Sequence, residues 1–236
     1  MGRCLAGLLS GHCDLIICSR ELSRSEKIAA KAGAGAAEIK DCSDRDIVFA
    51  AVPTYALLST TRALHPVMKC GSLFVDISSV KCQVVDEIVK MLPDDVMYVS
   101  IHPLFSSARA RIKNTIVVPI RPGNWMLALT GLLEGSGMRL HAANAEEHDR
   151  AMAAAQVIHH FALLSMSRAL DEMGYSRKRG LDPFITSSLT KSLHVVKLLE
   201  RNLETIEMIQ RSNKFAQYAR NKFIEEAKKL DTQYTK

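Results

Sequence analysis

Ser72-Leu-Phe-Val-Asp-Ile-Ser-Ser-Val-Lys81 reads as a strand running into a polar turn, and Val96-Met-Tyr-Val-Ser-Ile-His-Pro-Leu-Phe105 repeats the pattern downstream. Both runs are short, rich in β-branched and aromatic residues, and bounded by turn-formers. In an open parallel sheet, ligands bind outside the carboxyl ends of the strands. Ser79, Lys81 and His102 are therefore expected to face one crevice. A hydroxyl, a cation and an imidazole in such a place suit the orientation and deprotonation of a small acidic substrate.

Outward from these runs, strands alternate with helices. Residues 15–18 read as a strand, 25–32 as a short helix stopped by Gly33, and 46–52 as a buried parallel strand, nearly continuous in apolar residues. Residues 56–65 and 82–91 read as helices on either side of a strand at 73–77. Residues 115–120 and 139–141 read as further strands, with a helix at 125–135 between them. This order predicts an α/β Rossmann-like, doubly wound sheet with right-handed crossovers over residues 1–143.

From residue 145 the period changes. Residues 146–173 read as one helix, apolar around most of its circumference and hence buried, with Gly174 as its stop. Arg177-Lys-Arg-Gly180 reads as a basic loop, and Asp182-Pro183 as a helix start. Leu189, Leu193, Val196, Leu199, Leu203, Ile206 and Ile209 then keep helical spacing, and Asn213 is placed to cap a last helix. Residues 144–236 thus read as an all-helical substrate and dimerisation domain. A long buried helix in a small helical half calls for a second subunit to cover it.

Composition narrows the function. The 236 residues are 47% hydrophobic and 24% charged, as in an ordinary soluble globular protein. No apolar stretch approaches the ~20 residues of a membrane span. The N-terminus lacks the pattern of a secretory leader. Both point to a cytoplasmic protein with no membrane partner. None of the six cysteines forms a Cys-x-x-Cys pair or a zinc-like spacing, so reduced thiols and no metal site are expected. The net charge of +6 is spread among acidic residues, notably along 197–236, which is a solvated helix face and no nucleic-acid footprint. A mild positive field also suits a dianionic substrate and a phosphate-bearing cofactor.

The ordered set Asp46-Ile-Val-Phe-Ala-Ala-Val-Pro53, Asp76-Ile-Ser-Ser-Val-Lys81, Ile101-His-Pro-Leu-Phe105 and Glu147-His-Asp149 resembles the prephenate/arogenate dehydrogenase family of tyrosine biosynthesis, from Gly2 to about Leu170. The resemblance implies oxidative decarboxylation of prephenate to 4-hydroxyphenylpyruvate with NADP or NAD, or the matching arogenate reaction. It also implies a homodimer formed through the helical domain, with the active site between the two domains. His102 matches the family's catalytic histidine, which takes up the substrate hydroxyl proton. Ser79 matches the serine that orients the hydroxyl, the histidine or the nicotinamide amide; Ser78 beside it is the alternative helix cap. Lys81 either binds a carboxylate or braces the loop. His148, Gln156 and His160 match polar positions near the substrate, although Glu147 and Asp149 are also ordinary helix-start chemistry. Arg109, with Arg111 and Lys113, and Arg177 to Arg179 are the candidate carboxylate cations. Ser106 stands where the family usually has glycine, which leaves prephenate against arogenate open.

A dinucleotide-binding domain opens with a strand and Gly-x-Gly-x-x-Gly. Met1-Gly-Arg-Cys-Leu-Ala-Gly-Leu-Leu9 instead reads as the helix after that loop, with Gly2 at the last glycine. The first strand and first two glycines are missing, which leaves two strand edges open. Either the start is an internal Met of a longer protein, or the chain is a natural short form that has lost dinucleotide binding. Ser19 and Arg20 follow the strand at 15–18, where an acid would bind the ribose of NAD. They suit a 2′-phosphate, with Arg24 as a second cation, and favour NADP; the alternative makes Arg20 a plain exposed loop residue. Val52 and Pro53 are placed on the nicotinamide side. The rival readings are another dehydrogenase with a Rossmann domain and a helical dimerisation domain, such as a pyrroline-carboxylate reductase or hydroxyacid dehydrogenase, and a non-catalytic dimeric subunit.

Overall fold

The Leu-Phe-Val-Asp run forms strand β4 (Leu73–Asp76), buried along its whole length, in a computed structural model that describes residues 1–175 and 184–235. Sheet covered on both faces has no solvent side, so it selects continuous apolar runs. β4 lies parallel to β3 (Ile47–Ala50) on one side and to β5 (Met97–Pro103) on the other. β6 (Asn114–Arg121) returns antiparallel to β5, and β7 (Arg139–Ala142) is parallel to β6. The order in the sheet is β3-β4-β5-β6-β7. A separate pair of parallel strands, β1 (Ile16–Cys18) and β2 (Gly35–Ala37), forms a second sheet. β1 and β3 therefore each pair along one edge only.

Period-two alternation sends β4 side chains to opposite faces. Phe74 packs with Tyr98 in one apolar cluster. That cluster also holds Leu57 and Leu64 of α3 (Thr54–Leu64) and Val84, Val85 and Ile88 of α4 (Cys82–Met91). Leu73 and Val75 pack with Val99 and Ile101 in the other. There they meet Leu5 and Leu9 of α1 (Gly2–Leu9) and Leu129 and Leu133 of α5 (Met126–Gly135). α2 (Leu22–Ala32) connects β1 to β2 and ends at Gly33, which takes the left-handed conformation at φ 68°. The result is a Rossmann-like sheet with helices on both faces. Its β5–β6 pair is antiparallel, where the sequence predicts only parallel crossovers; a short loop over residues 104–113 allows the strand to turn straight back.

The chain divides into two compact units, Met1–His148 and Asp149–Lys236. The helix expected over residues 146–173 has three parts: α6 (Ala145–Met152), a π-helical turn (Ala153–Ile158) and α7 (His159–Glu172). Gly174, at φ 80°, follows α7 and lets Tyr175 N donate to Leu170 O. α7 has no fully buried residue, against the expectation of a buried helix. The periodic run after residue 189 is two helices, α8 (Ser187–Glu200) and α9 (Leu203–Ser212). Asn202 parts them by donating its side-chain amide to Leu198 O at 3.0 Å. Thr186 caps α8 by accepting from Leu189 N; Asp182-Pro183 and the basic loop Arg177 to Gly180 lie outside the described residues. Asn213 precedes α10 (Ala216–Tyr234), accepts from Phe215 N and donates to Asp149 O at 2.7 Å. No described helix is long and apolar enough to cross a membrane.

Candidate active site

A buried charged network lies at the carboxyl end of β4. Asp76 is fully buried, accepts from Ser78 N at 2.8 Å and from the Tyr98 hydroxyl at 2.7 Å. Lys81 Nζ, also fully buried, donates to Ser78 O, Ser100 Oγ and Ile101 O at 2.7–2.8 Å and lies 3.8 Å from Asp76. Burial alone would raise the Asp76 pKa, but the Lys81 ammonium and hydrogen bonds from Ser100 and Ser78 outweigh it and hold the carboxyl below its ordinary value. Burial, and then the Asp76 charge, push the Tyr98 hydroxyl up. Of the two readings of Lys81, the geometry fits the brace. Its ammonium is spent on oxygens of the β4 and β5 ends and does not reach solvent. Ser78 is no helix cap: its hydroxyl donates to Val80 O within the turn.

His102 lies inside β5, opposite Ile116 of β6, and not in a loop after the strand as expected. The antiparallel pairing carries the strand on through Pro103. Its Nδ1 is 2.8 Å from Nε2 of His148. His148 is 2% exposed, and its Nε2 faces His102. The start of α6 fixes it there. Glu147 N donates to Asn144 Oδ1, Asn144 N donates to Glu147 Oε2, and His148 N donates to Asn144 O. This reciprocal box satisfies donors that a helix start leaves unpaired. Burial, then the charge of Lys81, then His148 hold the His102 pKa well below its ordinary value, so the ring is neutral at pH 7. β4 and β5 are in register with Asp76 opposite Ser100. Ser79, in the turn after β4, thus leaves the sheet at the same end as His102. It is half-buried. A neutral imidazole and a hydroxyl at the same sheet end can accept a proton from, and orient, a substrate hydroxyl.

Gln156 and His160 belong to the second unit. Gln156 lies in the π-helical turn and His160 begins the next turn along. π-turns widen a helix and recur at functional sites. Gln156 Oε1 and His160 Nδ1 are buried and find no hydrogen-bond partner among the described residues. Burial, with His159 beside it, pushes the His160 pKa down to about 4. Two orphaned polar atoms of this kind are groups a bound ligand can satisfy.

Other expected site residues sit at the strand ends. Gly2 opens α1, and a Cβ there would lie 3.1 Å from Ala51 Cβ and 3.2 Å from Ala51 O, just past β3. Close helix–strand packing is the task of the last fingerprint glycine, so the position fits a dinucleotide-binding turn. Ser19 Oγ donates to Glu21 O at 2.8 Å and lies 2.9 Å from Ser25 Oγ, so it helps build the start of α2. Arg20 and Arg24 are exposed beside it. Val52 is half-buried and Pro53 starts α3. Arg109 is exposed in the loop after β5; Arg177 to Arg179 lie outside the described residues. Asp76, Tyr98 and Ser100 carry no role in the sequence reading. The available signal was an aspartate closing an otherwise apolar buried strand.

The fold is that of a Rossmann-like unit of the dinucleotide-binding type, followed along the chain by a helical unit. Residues 6–117 match the nucleotide-binding domain of prephenate dehydrogenase, and this match supports membership of the prephenate/arogenate dehydrogenase family. The probable arogenate/prephenate dehydrogenase of Methanocaldococcus jannaschii is 24% identical over 176 residues, 70% of this chain and 39% of that protein. The chain spans 32–43% of the length of the curated relatives it matches. Prephenate dehydrogenase from A. aeolicus, crystallised with hydroxyphenyl propionate and NAD+, superposes with a TM-score of 0.80 at 18% identity, covering 100% of this chain and 87% of that one. Synechocystis arogenate dehydrogenase gives 0.75 at 20% identity, covering 99% and 87%. At these identities the two structures establish the shared fold.

Proposed function

We propose that the chain carries the catalytic residues of a prephenate dehydrogenase, which converts prephenate to 4-hydroxyphenylpyruvate with NADP or NAD as oxidant. The observation that carries this reading is His102: a buried, neutral imidazole with one nitrogen engaged by His148, at the sheet end where Ser79 offers a hydroxyl. His102 takes the proton of the ring hydroxyl through Nε2, and Ser79 orients that hydroxyl. When bound, the dinucleotide supplies the acceptor for the hydride leaving the carbinol carbon. The ring carboxylate then departs as carbon dioxide, and the electron pair of the broken carbon–carbon bond completes the aromatic ring. Gly2, Ser19, Arg20, Val52 and Pro53 are the residues we assign to the cofactor, with Arg20 and Arg24 favouring NADP. Gln156 and His160 are assigned to the substrate's polar groups, and Arg109 to a carboxylate. The half-buried α7 supports a homodimer formed through the helical unit.

The test is reduction of NAD and NADP by the chain, and by a form extended upstream in frame, with prephenate and separately with arogenate. Turnover with prephenate that falls by about 10²–10⁴-fold in a His102→Ala variant that still folds cooperatively is the expected result. Preference for arogenate would move the substrate and keep the chemistry. No turnover and no dinucleotide binding in either folded form would overturn the proposal in favour of a non-catalytic subunit.

A further inference from the structure

Each neutral imidazole carries one N–H and one lone pair. At 2.8 Å, one nitrogen of the His102–His148 contact donates and the other accepts. If His102 donates through Nδ1, its Nε2 keeps a lone pair and can take up a proton. If His148 donates through Nε2, the hydrogen of His102 sits on Nε2 and no base remains there. The direction of one buried hydrogen bond therefore decides whether His102 is a base.

We propose that His148 is a positioning residue that accepts the Nδ1–H of His102 and so holds His102 in the tautomer whose Nε2 receives the substrate proton. This rests on the dehydrogenase reading above. Three observations support it. The two backbones are fixed by different elements, His102 by the β5–β6 ladder and His148 by the start of α6, where its N–H donates to Asn144 O, and the rings they carry meet at 2.8 Å. Both rings are almost completely buried, which denies the His102 Nδ1–H an easy substitute partner in water. The charged and titratable groups that act on His102 are Lys81, which is paired with Asp76 and donates to Ser100 Oγ, and His148 itself. Lys81 opposes a standing positive charge on the ring, which keeps it neutral before reaction. Once Nε2 is protonated, the bond to His148 becomes charge-assisted and shorter, and His148 remains its acceptor. His148 thus acts through His102 and needs no contact with substrate.

The experiment reads the tautomer directly. In the full chain labelled with 15N at histidine, two-bond imidazole correlations at neutral pH report which nitrogen of His102 bears hydrogen, with no substrate present. We expect hydrogen on Nδ1. His148→Gln sets an amide oxygen near the place of Nε2 and keeps an acceptor; His148→Leu removes it. The Gln variant should keep the native tautomer, and the Leu variant should show a mixture. In turnover, kcat should fall by about 10²-fold in His148→Leu with KM changed by no more than about twofold, and stay within about tenfold of native in His148→Gln. Hydrogen on Nε2 in the native chain, or a Leu variant with native tautomer and native kcat, would overturn the proposal. An inactive native chain with the expected tautomer would count against the dehydrogenase reading alone, since the spectrum needs no reaction.

Discussion

The two units bury apolar surface in different ways. In the sheet unit, Leu73, Phe74, Val75, Val99 and Ile101 are completely shielded, because helices cover both faces of the strands. In the helical unit, Val157, Val196 and Ile209 are buried, yet α7 has no fully buried residue, and Leu203, Tyr218, Leu230 and Tyr234 are exposed. A sheet between two helical layers completes its own core. Helices packed with one another leave outer stripes, and such stripes favour association. The polar groups do not divide in the same way. The sheet unit holds a hydrogen-bonded buried network around Lys81. Among the described residues, buried polar atoms without a partner occur in both units: Ser72 Oγ, Thr115 Oγ1 and Arg121 Nε in the sheet unit, and Gln156 Oε1 and His160 Nδ1 in the helical one.

The largest expected effect tests the sheet side. Asp76→Ala strands the buried Lys81 ammonium and the Tyr98 hydroxyl, and should cost about 3–5 kcal/mol in chemical denaturation. A loss below about 1 kcal/mol, within the range of a surface pair, would show that the network is not a structural brace.

A paired substitution comes next. Leu73→Ala should cost about 2–5 kcal/mol through lost burial and a cavity. Leu203→Ala, at an exposed helical position, should stay within about 0.5 kcal/mol in dilute solution. Equal costs would break the comparison. A Leu203→Ala penalty that grows with protein concentration would sharpen it, since it would place that stripe in a dimer interface.

The smallest effect is a pH dependence with a share from each unit. His102 and His160 have folded pKa values below the ordinary 6.5, so the unfolded chain binds protons more readily. Their contribution to stability is complete above pH 6.5 and is lost as pH falls from there through the folded values, about 4 for His160. Melting temperatures between pH 7 and pH 4 should decline, and less steeply in His160→Gln. An identical slope in native and variant chains would remove His160 from the account.

Much of this was legible in the chain. The helix at Cys82–Met91 and the strands around it follow from apolar period and turn residues alone. β2 was not legible, because Gly-Ala-Ala has no strand propensity and extends only by pairing with β1. The π-turn was hidden in Ala-Ala-Ala-Gln-Val-Ile, which reads as plain helix. The α8–α9 break has no Gly or Pro, and its signal is a single Asn202 side-chain bond. His102 and Ser79 were readable as strand-end residues, but the pairing of His102 with His148, 46 positions apart, is a product of tertiary packing. Lys81 shows the same limit: spacing places it near the crevice, and only burial tells that it points inward.

The separation of β1 and β2 from the main sheet has a consequence for how the molecule breathes. The two strands share three residue pairs, and a two-stranded sheet has little stability of its own. We expect the β1–α2–β2 segment to behave as its own foldon, exchanging its amide hydrogens well before the strands around Val75. Ser19 and Arg20, which follow β1, then ride on the fast-opening part of the molecule, while His102 belongs to the slow part.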